Sequence, residues 1–348
     1  SGLTKLKGGA SEHFDMIFTK DKEGYMDLPG ISVLIGGLWI ANLSYWGCNQ
    51  YITQRALGAS LDTARNGLLF AAFLKMLMPL IVVIPGIAVY YIIKNDMNAI
   101  NPDLLLTGSG VQDPNKAYSA LLTLLPTGLK GLSFAALTAA IVASLAGKAN
   151  SIATIFTLDI YQKAINKNAS ESKLVNVGKI AVMVSMLLGT LLALLVGNSL
   201  MGEGKQGFHY IQEYTGFVSP GIFAMFILGF FWKKTTSNAA LFATIGGFVF
   251  SVILKFSGQL MDLEFLSAIN FAIPNAAGVY EIPFMDRMTL VFAFCVIGMV
   301  IISLYENAKG VVPNGLEIDT KMFRMSPTFL VLSLLIIGAT AALYIVFW

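Results

Sequence analysis

Charge is scarce in this chain. Asp, Glu, Lys and Arg make up 12% of its 348 residues, about half the share usual in soluble globular domains. Set against 56% apolar residues and a mean hydropathy of +0.71, that scarcity excludes a soluble globular protein. The net charge of +3 is too small to point to nucleic acid as a partner, so the basic residues are read for topology instead. Cysteine is nearly absent too: Cys48 and Cys295 both lie inside apolar runs, which excludes a disulfide framework. No metal-hydrolase, nucleotide-binding or nucleophile motif stands out, which argues against an enzyme. A secretory signal is missing as well. The opening "SGLTKLKGGASEHFDMIFTKDKEGYMD" is polar, lacks an initiator Met, and reads like a loop from the interior of a longer chain.

What the chain has in abundance is apolar runs of membrane-spanning length. Eight are legible, at roughly 29–53, 67–93, 131–158, 174–197, 209–232, 237–257, 286–305 and 327–348. The expected fold class is an all-α polytopic membrane protein with about eight transmembrane helices in the lipid bilayer. A shorter amphipathic piece, "AYSALLTLLPTGLKG", precedes the third run and is expected at the interface or on the extramembrane side. An even number of crossings puts both ends on one side. Loops after the first, third, fifth and seventh spans carry eleven Lys and Arg, from Arg55 to Arg324. The opposite loops carry six: Lys94, Lys116, Lys130, Lys205, Lys255 and Arg287. The positive-inside rule makes the first set cytoplasmic and both ends extracytoplasmic, in the inner (plasma) membrane.

Polar residues inside these runs are where function is sought, because groups at mid-depth must face protein or a wet cavity. The first run ends "IANLSYWGCNQYITQR". On a regular helix Asn42, Tyr45 and Asn49 share one face, with Trp46 on its edge. Amide groups beside flat aromatic faces suit a polyhydroxylated ring with apolar C–H faces. Interhelical hydrogen bonds and an interfacial aromatic belt account for the same residues equally well. Lys75 lies inside the second run, nine residues from its start and so about 13 Å deep at 1.5 Å per residue; it snorkels or serves a site. Pro79 and Pro85 should bend that helix. "GFHYIQEYTGFVSPG" opens the fifth run with Gln212 and Glu213, the latter readable as a solvated helix end, and breaks at Pro220 and Gly221. The third run is rich in Ala, Ser and Gly, which permits close helix packing and also leaves oxygens free for a hard cation such as Na⁺. Ser144, Lys148 and Ser151 form one stripe on it.

The segments "GLWIANLSYWGCNQYITQR", "NSIATIFTLDIYQK", "YIQEYTGFVSPGI" and "FFWKKTTS" together resemble the sodium:solute symporter family, and within it the bacterial sodium-coupled sugar symporters. The match runs in order from about Leu28 to Trp348. It implies the leucine-transporter fold, two five-helix inverted repeats around a midplane site. By that resemblance residues 1–28 are an extracytoplasmic loop and 29–232 the second repeat, from its broken sixth core helix onward. Residues 233–348 are then three additional C-terminal helices, and the N-terminal half of the same protein is a partner. The resemblance further implies cation-coupled transport, with sodium, of a neutral sugar such as galactose or glucose by alternating access. Asn42 becomes a sugar hydroxyl partner and Tyr45 a ring stacked on the sugar as a gate. Trp46 adjoins that gate, while Lys75 and Gln212 donate from neighbouring helices.

For sodium, the resemblance places ligands at Ala140 (a backbone carbonyl), Ala143 and Ser144. The sugar symporters have two consecutive serines where this chain has Ala143 and Ser144, so one hydroxyl is lost. Lys148 stands where they carry an uncharged residue and is a coupling candidate, which leaves proton coupling as an alternative. A different small solute on the same fold, and a transport-dead sensor, are the other readings. An anionic solute would favour an arginine at the site, and on this reading no Arg lies within a span, which argues for a neutral solute.

Overall fold

The computed structural model describes all residues except 1, 21, 23, 27, 96, 98, 202–206, 270, 276 and 277. Lys205, counted above among the loop charges, lies outside the described residues. Helix dominates, because in hydrocarbon an apolar segment must satisfy its own backbone groups. In chain order, α1 (Gly2–Gly9) is followed by three short pieces, α2 (Ser32–Ile35), α3 (Gly37–Leu43) and α4 (Gln50–Leu57), with a π-turn at Ser44–Cys48 between the last two. Then come α5 (Leu61–Lys94), α6 (Ala117–Leu122), α7 (Thr127–Thr154), which runs on into a π-helix at Ile155–Ile165, and α8 (Glu171–Met201). After α9 (Gly207–Thr215), α10 (Ser219–Phe231) and α11 (Ser237–Leu260), a two-stranded antiparallel hairpin pairs Ile273 with Glu281 and Pro274 with Tyr280. The last helices are α12 (Phe284–Ala308) and α13 (Pro327–Val346).

Among the described residues six helices are long and apolar enough to cross a membrane: α5, α7 with its π extension, α8, α11, α12 and α13. The pair α9 and α10, bent by 47°, brings the number to seven. The remaining run of the eight read from the sequence, 29–53, is broken into α2, α3, the π-turn and α4. The chain is an all-α polytopic membrane protein. The amphipathic piece before the third run, residues 117–131, is divided: α6 takes its first six residues, a turn follows, and its last five begin α7.

The chain divides into two compact units, residues 1–10 with 77–207 and residues 11–76 with 208–348, the boundary falling inside α5. In the first unit α7 and α8 pack together, and Gly178 of α8 lets Thr157 close in: a Cβ at Gly178 would stand 3.2 Å from Thr157 Oγ1. A small core of Val89, Ile100 and Ala120 ties the end of α5 to α6. No residue in the apolar windows of α5, α7 and α8 is buried.

The second unit holds most of the buried core. Helices α10, α11 and α12 pack around Ala224, Ala239, Ala243, Val291, Cys295 and Met299. Glycines set that packing: a Cβ at Gly221 would fall 2.2 Å from the carbonyl oxygen of Ala243, and one at Gly247 would fall 2.6 Å from Gly221 Cα. The α10 and α11 backbones therefore touch where side chains would hold them apart. Beyond α12, the loop at 309–318 folds back on the turn after α10. Asn314 N and Gly315 N donate to Thr235 O, and an exposed ion pair joins Lys233 to Glu317. That lysine holds the Glu317 carboxyl below the usual carboxylate range.

Candidate binding site on the broken helix

The break in the first apolar run has a local cause. Gly36 leaves helical geometry (φ −94°, ψ −130°), and a Cβ there would stand 2.4 Å from Ser32 O and 2.9 Å from Thr289 Oγ1. At Gly37 a Cβ would stand 2.7 Å from Met285 O. The pair lets α3 press against the α12 backbone, where Ile40 is fully buried beside Phe223, Met285 and Met288. Trp39 meets Phe223 and Phe292 edge-on at 5.8 and 5.4 Å. One side of α3 is thus fixed by α10 and α12.

The other side carries the polar residues. Asn42 Nδ2 donates to Leu38 O at 2.8 Å, and Asn42 Oδ1 accepts from Lys75 Nζ at 3.1 Å. Those two contacts agree on which end of the amide is which. They leave Asn42 one N–H and one lone pair for a ligand. The Lys75 ammonium also lies 5.4 Å from the centre of the Trp46 ring, a distance at which the ring quadrupole attracts it. Trp46 meets Tyr45 edge-to-face at 5.8 Å and 87°. Tyr45 is exposed, and its hydroxyl bonds to none of the described residues.

The π-turn alters one feature of the regular-helix reading. Tyr45 and Trp46 sit in its i→i+5 register, a geometry that often marks functional positions. Asn49 then leaves the helix (φ −86°, ψ 122°), and its Oδ1 accepts from Tyr51 N at 3.0 Å. It caps α4 and does not share a face with Asn42 and Tyr45. Gln212 lies on α9, half-buried, and its side chain makes no hydrogen bond among the described residues. The structure therefore brings together Asn42, Trp46 and Lys75, with Tyr45 against Trp46. No hydrogen bond or ring contact among the described residues joins Gln212 to them.

Ala140, Ala143, Ser144 and Lys148 all lie in the unbroken part of α7, exposed. In a regular helix each carbonyl accepts once from the i+4 amide, leaving Ala140 and Ala143 one lone pair apiece, and Ser144 adds a hydroxyl. Lys148 forms no ion pair among the described residues, where no cluster of His, Cys, Asp or Glu could hold a metal ion either.

Sequence reasoning missed an ionic node beside Gln212. Glu213 accepts from Lys255 of α11 at 2.6 Å and from Arg287 of α12, and Arg287 is buried. Arg287, read from the sequence as a loop charge, is inside the first turn of α12, so one span does hold an arginine; its charge is matched by Glu213. A signal existed. The alternation of crossings puts the starts of the fifth and seventh runs and the end of the sixth on one side, which gathers Glu213, Arg287 and Lys255 at one depth.

The profile of the family described as "Sodium:solute symporter family" matches residues 14–247. The chain belongs to the sodium:solute symporter family. By its description the family is one of symporters, which are transporters rather than enzymes. The chain is 42% identical over 351 aligned residues to the sodium/glucose cotransporter of Vibrio parahaemolyticus, a match covering all of this chain and 60% of that protein. It is 36% identical over 231 residues to the human sodium/myo-inositol cotransporter, covering 65% of this chain and 32% of that one. The mouse sodium/myo-inositol cotransporter 2 matches at 37% over 233 residues, or 65% and 34% of the two chains. The chain thus spans 60% of the bacterial relative's length and about a third of the mammalian ones.

Proposed function

We propose that the full-length protein couples the entry of sodium to the transport of a neutral sugar of the galactose or glucose type across the plasma membrane. Asn42, Tyr45, Trp46, Lys75 and Gln212 form one wall of the sugar site. The observation that carries this reading is the Asn42–Lys75–Trp46 cluster. An ammonium inside an apolar helix, paired with no carboxylate among the described residues, donates to an amide and lies against an indole face. The remaining donors of Lys75 and Asn42 match sugar hydroxyls, while Tyr45 and Trp46 offer faces for C–H groups.

Residues 29–232 act as the second five-helix repeat and 233–348 as additional helices, with the N-terminal half supplying the other wall and both ends of this chain extracytoplasmic. Sodium is cargo, approached by the Ala140 carbonyl and the Ser144 hydroxyl, with Ala143 at the position where a second hydroxyl is lost. Hard cations take about six or more oxygens, so the N-terminal half contributes the others. Lys148 snorkels toward the cytoplasmic face and leaves the ion in place.

A second reading, transport of myo-inositol, is favoured by the names of the mammalian relatives. It keeps the same wall, because a cyclic polyol presents the same hydroxyls and C–H faces. Uptake of labelled glucose, galactose and myo-inositol by the full-length protein in liposomes, under an imposed sodium or pH gradient, separates the readings. Sugar uptake driven by sodium is expected. Uptake that follows the pH gradient without sodium, and is lost in Lys148→Met, would overturn the choice of ion.

A further inference from the structure

The Glu213 node lies beside a proposed sugar ligand, at a sensitive place in the chain. Helix α9 has nine residues, too few for independent stability, and its Phe208, Ile211 and Tyr214 are exposed. The chain bends by 47° between it and α10, at 216–218. There Gly216 meets Met288 so closely that a Cβ would stand 2.9 Å from its sulfur. The strongest tie between α9 and its neighbours is the Glu213 carboxylate, held by Lys255 from α11 and by buried Arg287 from α12. A charge-assisted bond to two helices fixes both the height and the rotation of α9.

Gln212 is the adjacent residue, roughly 100° around the helix at 3.6 residues per turn. Its amide has no partner among the described residues, so its direction follows the rotation of α9. We propose that Glu213 is a positioning residue: its bonds to Arg287 and Lys255 lock the rotation of α9 and so aim the Gln212 amide at the solute. This rests on the reading of Gln212 as a sugar ligand.

The test measures half-saturation for sugar, together with maximal rate and protein amount, in the full-length protein in liposomes. It compares Gln212→Ala, Glu213→Gln, the pair combined, and Glu213→Gln with Arg287→Gln. That last variant removes the buried cation that Glu213→Gln strands, whereas the more exposed Lys255 can turn to water. If Glu213 acts through Gln212, Glu213→Gln raises half-saturation at least fivefold in the native background and less than twofold once Gln212 is alanine. Unchanged half-saturation in Glu213→Gln, or an equal effect in both backgrounds, overturns the proposal while leaving Gln212 as a ligand. An unaltered Gln212→Ala defeats the underlying reading and the proposal with it. If neither Glu213 variant accumulates in the membrane, the node serves folding and the positioning role is rejected.

Discussion

The α10–α12 bundle and the α7–α8 pair are built from similarly apolar sequence, yet they are packed very differently. In the windows of α11 and α12, 22% and 28% of residues are buried, whereas in α7 and α8 none is. Small residues tell the two regions apart only when their neighbours are known. Gly221 and Gly247 mark backbones in contact, while Gly128, Gly131 and Gly189 have nothing within 4 Å. Hydropathy reports that a helix can lie in a bilayer; contact within the chain decides which of its faces is already used. The polar residues follow the same division. Asn42 and Lys75 complete one another in the packed unit, whereas among the described residues the Ser144 and Lys148 side chains on α7 make no hydrogen bond or ion pair.

The largest effect that would sharpen this contrast is on folding. In the full-length protein, Gly221→Val should destabilise by about 3 kcal/mol or more, since its Cβ would meet the Ala243 backbone, which cannot swing aside. Gly189→Ala should shift stability by less than about 1 kcal/mol in either direction, the scale of helix propensity. Thermal unfolding in detergent checks both, and equal losses would erase the difference between the regions.

Next in size are the effects at the proposed sugar and sodium sites. Tyr45→Ala should cut sugar uptake by about tenfold, the order of an aromatic contact worth about 1.4 kcal/mol, and Tyr45→Phe should retain most of it. Similar, native-like uptake in both would make Tyr45 a packing residue. On α7, Ala143→Ser restores a hydroxyl beside Ser144 and should raise apparent sodium affinity a few-fold, read from the sodium dependence of uptake. A decrease would remove α7 from the ion path.

Much of this organisation is legible in the sequence, because spans are set by the local property of apolar length. The breaks are only partly so. Polar residues at 42–50 announce an irregular helix, but the π-turn at Ser44–Cys48 and the capping role of Asn49 depend on how Gly36 and Gly37 seat α3 against α12. Pro220 and Gly221 signal a break in the fifth run, and the chain bends just before them. The Glu213–Arg287 pair joins residues 74 apart, and no local pattern sets such a pairing. The bond from Lys75 to Asn42 spans 33 residues; each member stands out in the sequence as polar within an apolar run, but nothing local pairs them.

The smallest effect concerns the loop after α12. With Glu317 held below the usual carboxylate range by Lys233, the pair contributes stability above the unfolded carboxyl's pKa and loses it as pH falls through the folded one. Both side chains are largely exposed, so the gain is slight. Proteolysis of the 309–318 loop should be faster in Glu317→Gln than in the native protein at neutral pH and equal at acid pH. A difference that persists in acid would assign the protection to something other than the ion pair.

Asn42→Ala probes the Asn42–Lys75–Trp46 cluster as the proposed binding site of the transported solute. A polar group shut off from water by the bound sugar and left unpaired costs about 1–3 kcal/mol, so sodium-driven sugar uptake by the full-length protein should show a half-saturation roughly 5- to 150-fold higher at normal expression. Unchanged half-saturation would mean that Asn42 and Lys75 only hold helices together, and the site would have to be sought elsewhere.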